Sequence, residues 1–179
     1  MKKLLQLSLL LLVTVTFAQD KMITKTGKIT FEATVPAFEE VKAHNDGVTC
    51  VLNAKTGEIA SLALIKGFRF KLALMEEHFN ENYMNSDSYP KAVFKGKIQN
   101  FDTSALTATP KDYTIKGKLE LHGKTNDIST TAKISKTDAG IMIISNFNVN
   151  ASDYDIAIPS VVKSKVSNKV SVKTEFVVK

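Results

Sequence analysis

The stretch that decides the fold is residues 67–96, GFRFKLALMEEHFNENYMNSDSYPKAVFKG. Its apolar residues follow a helical period, whereas the rest of the chain alternates like β-strand. Four of them share one helical face, namely Leu72, Met75, Phe79 and Tyr83. The pattern ends at residues 85–88, whose polar side chains compete for backbone hydrogen bonds. We therefore predict one short helix over about residues 72–84, which closes one end of a barrel or sandwich of strands.

The remaining sequence alternates between apolar and polar residues with a period of two, which is typical of half-buried strands. Eight such strands are joined mostly by short loops rich in turn residues, and nothing in the pattern predicts a helical crossover between strands. Their approximate ranges are 28–35, 48–54, 58–70, 91–101, 113–122, 128–134, 141–149 and 170–178. Eight antiparallel strands close a small barrel, so the predicted fold is an all-β, eight-stranded antiparallel barrel of lipocalin-like shape. A two-sheet sandwich is the alternative architecture.

Glycines and turn residues add local expectations. Asn45-Asp46-Gly47 predicts a turn at the end of a polar connection, and Gly57 predicts a left-handed residue in a hairpin loop. Gly67 is expected to bend the third strand. That strand is apolar on both faces, so one face should be covered, and the helix that follows is the obvious cover.

The amino terminus has the features of a secretory signal peptide. Met1-Lys2-Lys3 is basic, residues 4–17 are largely apolar, and Thr16-Phe17-Ala18 ends in a small residue suited to cleavage. We expect residues 1–18 to be the signal peptide and residues 19–179 to form a single domain. A periplasmic or secreted location follows. No cysteine adjoins the expected cleavage point, which argues against a lipoprotein anchor.

Charge and cysteine content narrow the function classes. Removal of Lys2 and Lys3 with the signal peptide lowers the formal net charge by two, from +6 to +4. The lysines are scattered over outward strand positions, so we expect no nucleic-acid partner and only a weak contact with an anionic membrane surface. Cys50 is the single cysteine and lies in phase with Val48 and Leu52. It is therefore expected to be buried and unreactive, without an internal disulfide.

The sequence offers little for catalysis. His44, His78 and His122 lie in separate elements without metal-ligand spacing, and no phosphate-binding or dinucleotide motif is present, so no metal or cofactor is expected. His78 could contact a ligand head group at the barrel mouth. A hypothesis of acid–base catalysis by His78 with Glu76 or Glu77 requires these side chains to converge, although adjacent helix positions point about 100° apart. We expect the protein not to be an enzyme.

The helix sequence MEEHFNENYM (residues 75–84), followed by SYPKAVFKG (residues 88–96), resembles the central motif of the YceI-like family. LELHGKT at residues 119–125 and FNVN at residues 147–150 look like further segments of that family. The resemblance implies a non-catalytic periplasmic or secreted barrel, lipocalin-like in shape, that binds a polyisoprenoid or another lipid. Tyr154 and Asp155 stand where Phe and Gly are commoner, and this departure leaves the identity of the ligand open.

The inward strand rows mix large and small residues, which predicts an apolar lumen that side chains do not completely fill. The expected ligand-binding residues are Phe31, Leu52, Ala63, Phe79, Ala92, Phe94, Gly96, Ile115, Gly117, Leu119, Phe147 and Phe176. A Gly117→Phe substitution should then block uptake in a folded protein. The predicted function is binding, sequestration or transport of a long apolar lipid of polyisoprenoid or fatty-acyl type. The alternative is a filled-core barrel that serves as an envelope interaction protein for a redox or membrane partner. A homodimer remains open.

Overall fold

The structure, a computed structural model, describes residues 20–179. The strands are β1 Lys21–Thr34, β2 Lys42–Asn53, β3 Glu58–Leu64, β4 Arg69–Phe70, β5 Lys91–Ile98, β6 Lys111–Leu121, β7 Lys124–Thr137, β8 Gly140–Asn150 and β9 Val166–Val178. One helix, α1, spans Ala73–His78 and continues as a π-helical turn over Phe79–Tyr83. Short 3-10 turns lie at Ile65–Gly67, Thr103–Ala105, Ala151–Tyr154 and Ser160–Val162.

The strands form a closed antiparallel barrel. Around the barrel the order is β1, β9, β8, β7, β6, β5, β3 and β2, and the pairing of β2 with β1 completes the circle. The two-residue strand β4 adds to the end of β2, where Ala43 pairs with Phe70. The predicted eight-stranded barrel with one short helix is therefore confirmed, and the sandwich alternative is wrong.

The expected signal peptide lies outside the described residues and stays a prediction. Among residues 20–179, none of the helices has the length and apolar character needed to cross a bilayer.

The first two strands begin earlier than their alternation indicated, at Lys21 and Lys42 instead of residues 28 and 48. Asn45-Asp46-Gly47 therefore lies inside β2, and the predicted turn is wrong. The Asn45 side chain is 3% exposed. Its Nδ2 donates to the Leu64 carbonyl at 3.0 Å and its Oδ1 accepts from the Gly47 amide at 2.9 Å. The hydrogen bond from the Gly47 amide to the Asn45 side chain is of a kind typical of turns, but in this protein it stabilises an irregular part of β2. The register of β2 against β1 shifts at Gly27.

The third strand is shorter than predicted, because the chain turns at Ile65–Gly67 before β4. This confirms the bend at Gly67, where an added Cβ would lie 2.5 Å from the Asn45 Nδ2. The expected cover of the outer face of β3 is wrong. Leu64 on that face is 52% exposed, because α1 packs on aromatic rings at the barrel end instead of on the outer wall.

The lower end of the barrel, opposite α1, is filled with side chains. The turn that joins β2 and β3 lies here, and its Gly57 has the predicted left-handed backbone, with φ of +72°. The buried core residues include Val48, Cys50, Leu52, Ile59, Ile98, Ile115, Ala132, Ile134, Ile141, Ile143, Phe176 and Val178. Cys50 is 0% exposed, as predicted, and burial raises the pKa of its thiol to about 12. This packed half forms the floor of the space above it.

Candidate functional site

The upper half of the barrel is hollow. It encloses a cavity of about 540 Å³, within the range of small-molecule sites. Inward rows of β1, β3, β5, β6, β7, β8 and β9 line it, and most of the lining side chains are apolar. Small side chains leave the room, since Ala33, Ser61, Ala63, Ala92 and Ser145 all lie on the wall. The filled-core alternative therefore describes the lower half of the barrel and not the upper half.

The helix forms one side of the cavity mouth. Met75, His78, Phe79, Tyr83 and Met84 all line the cavity. Three of the four residues predicted to share a helical face, Met75, Phe79 and Tyr83, therefore do point inward. They are spaced by four residues, and the wider π turn keeps the last two on one face. Leu72 precedes the helix and is 40% exposed.

An aromatic cluster holds the helix in place. The Phe79 ring centroid lies 5.3 Å from that of Phe31, 5.8 Å from that of Phe68 and 5.1 Å from that of Phe70. Such pairs add to the free energy gained by burying the rings. The cluster joins α1 to β1 and β4, and it forms part of the cavity wall.

A charged pair fixes the helix from outside. Arg69 Nη1 donates to Glu76 Oε1 at 2.8 Å, and Glu76 Oε2 accepts from the Phe70 amide at 3.2 Å. Both Glu76 oxygens are thus engaged with β4, and Glu77 is exposed. Of the three groups in the catalytic hypothesis, His78 alone lines the cavity. The convergence required for acid–base catalysis is not present in this geometry.

The other side of the mouth comes from two connections between strands. Phe38, Glu39 and Val41 line it between β1 and β2. Ile156, Ile158, Val162 and Lys165 line it between β8 and β9. The mouth therefore mixes apolar side chains with a few charged ones, while the interior is almost entirely apolar.

Nine of the twelve residues predicted to bind ligand line the cavity, namely Phe31, Ala63, Phe79, Ala92, Phe94, Ile115, Leu119, Phe147 and Phe176. Leu52 does not, because it belongs to the packed lower core. Gly96 and Gly117 also lie outside the lining. They face each other across β5 and β6, and an added Cβ on either would lie 2.7 Å from the Phe94 Cζ. The Phe94 ring thus covers the glycine pair, so a phenylalanine at position 117 would first meet this ring. The expected block of uptake by Gly117→Phe stays a prediction.

Several lining residues were not among the predicted set. The hydroxyl residues Ser61, Thr130, Ser145 and Thr174 supply polar atoms to the wall, and the Thr130 and Ser145 hydroxyl oxygens lie 3.1 Å apart. Thr130, Ser145 and Thr174 are in phase with the inward apolar residues of their strands. Alternation reports the face of a strand and not whether that layer of the barrel is filled. Tyr154 is 1% exposed. It lies in an irregular segment, so no periodic pattern in the sequence indicated that its side chain is buried.

The other two histidines have structural surroundings. His122 Nδ1 lies 2.9 Å from the Tyr154 carbonyl oxygen, and its ring contacts Tyr89 with centroids 4.5 Å apart. His44 lies on the outer surface with its Nε2 3.6 Å from Asp46 Oδ2. Over residues 20–179, histidine, cysteine and carboxylate side chains form no cluster of three or more that could hold a metal ion.

Comparison with known proteins agrees with this architecture. The YceI-like domain matches residues 13–178. The fold is similar to that of a polyisoprenoid binding domain from Saccharophagus degradans, with a TM-score of 0.76 and 14% identity over 89% of this chain and 98% of that one. Burkholderia cenocepacia BcnA gives a TM-score of 0.70 and 14% identity, over 86% of this chain and 96% of that one. A Campylobacter jejuni YceI protein gives a TM-score of 0.60 and 17% identity, over 81% of this chain and 89% of that one. No curated protein sequence matches the chain.

Proposed function

We propose, from the premise that this chain belongs to the YceI-like family, that it binds one long apolar lipid chain in the cavity of the upper barrel. The observation that carries the proposal is the cavity itself, about 540 Å³ in volume and lined mainly by apolar side chains. The similar domain from Saccharophagus degradans is named for polyisoprenoid binding. A polyisoprenoid or fatty-acyl chain is thus the proposed ligand class.

The energetics favour long chains over short ones. Each buried methylene contributes about 0.8 kcal/mol. Association of two molecules costs about 4–15 kcal/mol. A chain of a few carbons cannot offset that cost in an apolar cavity, whereas a chain of ten or more carbons can. Selectivity for chain length should therefore exceed selectivity for chain identity.

The mouth is proposed to meet a membrane surface of the cell envelope, where such lipids reside. Phe38, Leu72, Leu74 and Val161 lie in the segments that border the mouth and are 45%, 40%, 61% and 81% exposed. We call these four residues the apolar rim. The rim is continuous with the cavity through Phe38, which belongs to both. A lipid could then pass between bilayer and cavity without crossing water.

The direct test is native mass spectrometry of protein purified from its own cell envelope without detergent. We expect a mass increment that corresponds to one lipid and is released by organic solvent. Protein that is empty after such purification, and that takes up no long-chain lipid afterwards, would contradict the proposal.

A substitution pair links binding to the cavity. Ala92 lies on the cavity wall, whereas Ala60 lies on the outer face of the neighbouring strand β3. We expect Ala92→Phe to fill the cavity and to lower the affinity for a long-chain lipid by more than about tenfold, equivalent to 1.4 kcal/mol. Ala60→Phe should leave the affinity unchanged. Fluorescent fatty-acid displacement measures both, and equal affinities for the two variants would place the lipid elsewhere.

A further inference from the structure

The barrel wall divides between β7 and β8 in its upper half. The two strands pair where Ala132–Thr137 faces Gly140–Ser145. Above this region β7 stays paired with β6 as far as Lys124, and β8 stays paired with β9 as far as Asn150. Within the described chain, residues 126–131 and 146–150 form no ladder with each other. We call the opening between these two segments the fork.

Side-chain hydrogen bonds mark both ends of the fork. At its narrow end the Thr130 hydroxyl donates to the Asn146 carbonyl at 3.4 Å, and the Ser145 hydroxyl donates to the Thr131 carbonyl at 3.3 Å. At its wide end the turn Ala151–Tyr154 lies between the strands, and Asn126 Nδ2 donates to the Asp153 carbonyl at 2.7 Å. Side chains thus replace backbone pairing at both ends.

A polar cleft of about 690 Å³ occupies the fork. Its lining includes the amides of Asn126, Asn146, Asn148 and Asn150 and the hydroxyls of Ser129 and Thr131. Five residues line both this cleft and the apolar cavity, namely Ile128, Thr130, Phe147, Val149 and Tyr154. No backbone ladder closes the wall between β7 and β8 at this height, and these five residues border both spaces.

Tyr154 carries an unused hydrogen-bonding group on this shared wall. The residue is 1% exposed, and its hydroxyl has no hydrogen-bond partner within residues 20–179. Burial raises the pKa of this phenol, and the neighbouring Asn126 side chain lowers it again in part. The hydrogen bond of the Asn126 Nδ2 nevertheless goes to the Asp153 carbonyl, at 2.7 Å, and not to the phenol. A buried hydroxyl without a partner costs free energy, so the position favours a ligand that supplies one.

The charges of the cleft select against anions. Two carboxylate side chains, those of Asp127 and Asp153, line the cleft. Among the described residues, no Lys, Arg or His lines it. Lys118 Nζ lies 3.0 Å from Asp127 Oδ1, and Asn150 Nδ2 donates to Asp153 Oδ2 at 3.1 Å. A phosphate would meet two carboxylates, and the nearby Lys118 ammonium is already paired with one of them. Amides, hydroxyls and unpaired peptide groups instead match a neutral head group with several hydroxyls.

We propose that the fork binds the uncharged, polyhydroxylated head group of a lipid, such as a sugar or polyol, while the apolar chain of the same molecule lies in the cavity. This inference rests on the proposed function and specifies its ligand. The head group would hydrogen-bond to Asn146, Asn148 and the Tyr154 hydroxyl, and the chain would pass between the separated strands.

The test compares three probes with one chain length, dodecyl maltoside, dodecyl phosphate and dodecanol, by displacement of a fluorescent apolar probe. The maltoside and the phosphate are used below their micelle concentrations, and dodecanol is used below its solubility limit. We expect the maltoside to bind about tenfold more tightly than dodecanol, through several new hydrogen bonds. Dodecyl phosphate should bind no more tightly than dodecanol, although the positive net charge of the protein attracts anions. A maltoside that gains nothing over dodecanol would overturn the proposal.

Two variants assign the gain to the fork. Tyr154→Phe keeps the ring in the wall and should weaken maltoside binding about three- to tenfold while leaving dodecanol binding unchanged. Its matched control is Tyr113→Phe, which lies outside both spaces. The double variant Asn146→Ala, Asn148→Ala should also weaken maltoside binding alone, with the exposed Asn82→Ala as control. Equal losses for both probes would contradict the assignment.

Two further outcomes separate the hypotheses. If none of the probes binds, the proposed function fails and the inference fails with it. If dodecanol binds and maltoside shows no preference, only the inference fails. Light scattering of the same samples covers the remaining occupant, a β-strand from a second copy. If the native protein forms dimers, and the Asn146→Ala, Asn148→Ala variant is monomeric with an unchanged maltoside affinity, the fork pairs with a strand of a second copy. That result would contradict the proposal that the fork binds a head group.

Discussion

At the scale of single residues, the glycine pair between β5 and β6 has a steric role. A Cβ added to Gly117 would overlap the Lys95 carbonyl oxygen and would lie 2.6 Å from the Gly96 Cα. These neighbours are backbone atoms of a paired strand, so they cannot move aside as a flexible side chain could. The two strands therefore approach closely here, and the Phe94 ring fills the space that two Cβ atoms would need.

We expect Gly117→Ala to destabilise the fold by about 1–3 kcal/mol, because the added methyl group separates two paired strands. The control is Gly47→Ala, whose added Cβ would have its nearest contact at 3.6 Å, with Asn45 Oδ1. Urea unfolding of both variants provides the measurement. A Gly117→Ala protein as stable as Gly47→Ala would show that the strands can separate at little cost.

Cys50 makes stability depend on pH. Burial raises the pKa of its thiol from 9.0 to about 12, so the folded protein holds the proton after the unfolded chain has lost it. This contribution is complete below pH 9.0 and falls as the pH rises toward 12. The loss is at most about 1.4 kcal/mol per pH unit.

We therefore expect the unfolding free energy of the native protein to fall more steeply above pH 9.0 than that of Cys50→Ala. The variant is less stable at neutral pH because it leaves a small cavity, so the slope and not the absolute value is the readout. Denaturant unfolding across this pH range measures both. Equal slopes for the two proteins would mean that the Cys50 thiol ionises as easily in the folded protein as in the unfolded chain.

At the scale of elements, the helix depends on one ring for its attachment. Phe79 contacts three other phenylalanine rings, whereas Leu74 on the same helix is 61% exposed. The two residues thus differ in packing although they lie only five positions apart on one continuous helical segment.

We expect Phe79→Ala to lower the free energy of unfolding by about 3 kcal/mol. This is the lower end of the range for loss of a packed ring, because Phe79 is only partly buried. Amide hydrogen exchange should quicken across residues 73–84 more than in β8 and β9, since the helix would detach before the barrel opens. Leu74→Ala should change neither quantity appreciably. Uniform acceleration over the whole barrel would show instead that helix and barrel unfold together.

The elements that could be predicted from the sequence are those with local signals. Alternation placed the inward rows of Phe31, Phe94 and Phe147 correctly, and the helical period located α1 to within a residue or two. The turn at Asn45 was wrong because its side chain bonds to Leu64, which is distant in sequence. The fork could not be predicted, since Asn146 and Asn148 alternate with Phe147 and Val149 as in any half-exposed strand. Pairing between strands is set by contacts that local pattern does not contain.

At the scale of the whole molecule, the barrel divides into a filled floor and a hollow upper half. The sequence predicted an underfilled lumen, and nine of its twelve predicted ligand-binding residues lie on the cavity wall. It could not predict the height at which packing ends. Leu52 and Phe94 have the same alternation, but Leu52 meets opposing side chains in the core while Phe94 borders the cavity. That difference depends on which strands face each other across the barrel.

The two ends of the molecule also differ in their surfaces, which permits a test of membrane contact. Leu74 and Val161 belong to the apolar rim at the mouth, whereas Ile23, which is 43% exposed, lies near the filled end. Charged side chains of both signs line the mouth, since Glu39 and Lys165 both belong to it. Attraction to the bilayer should therefore come mainly from apolar side chains that insert at the interface.

We expect weak binding to lipid vesicles that persists at high salt, because apolar insertion is not screened. Leu74→Glu combined with Val161→Glu should lower the vesicle-bound fraction and slow lipid transfer between vesicles, by about fivefold or more if each exposed side chain contributes about 0.5 kcal/mol or more. Ile23→Glu adds one similar charge at the opposite end and should change neither quantity. Vesicle sedimentation and a fluorescence transfer assay measure the two effects. Binding that vanishes at high salt, or that Ile23→Glu reduces as strongly, would show that the mouth does not face the membrane.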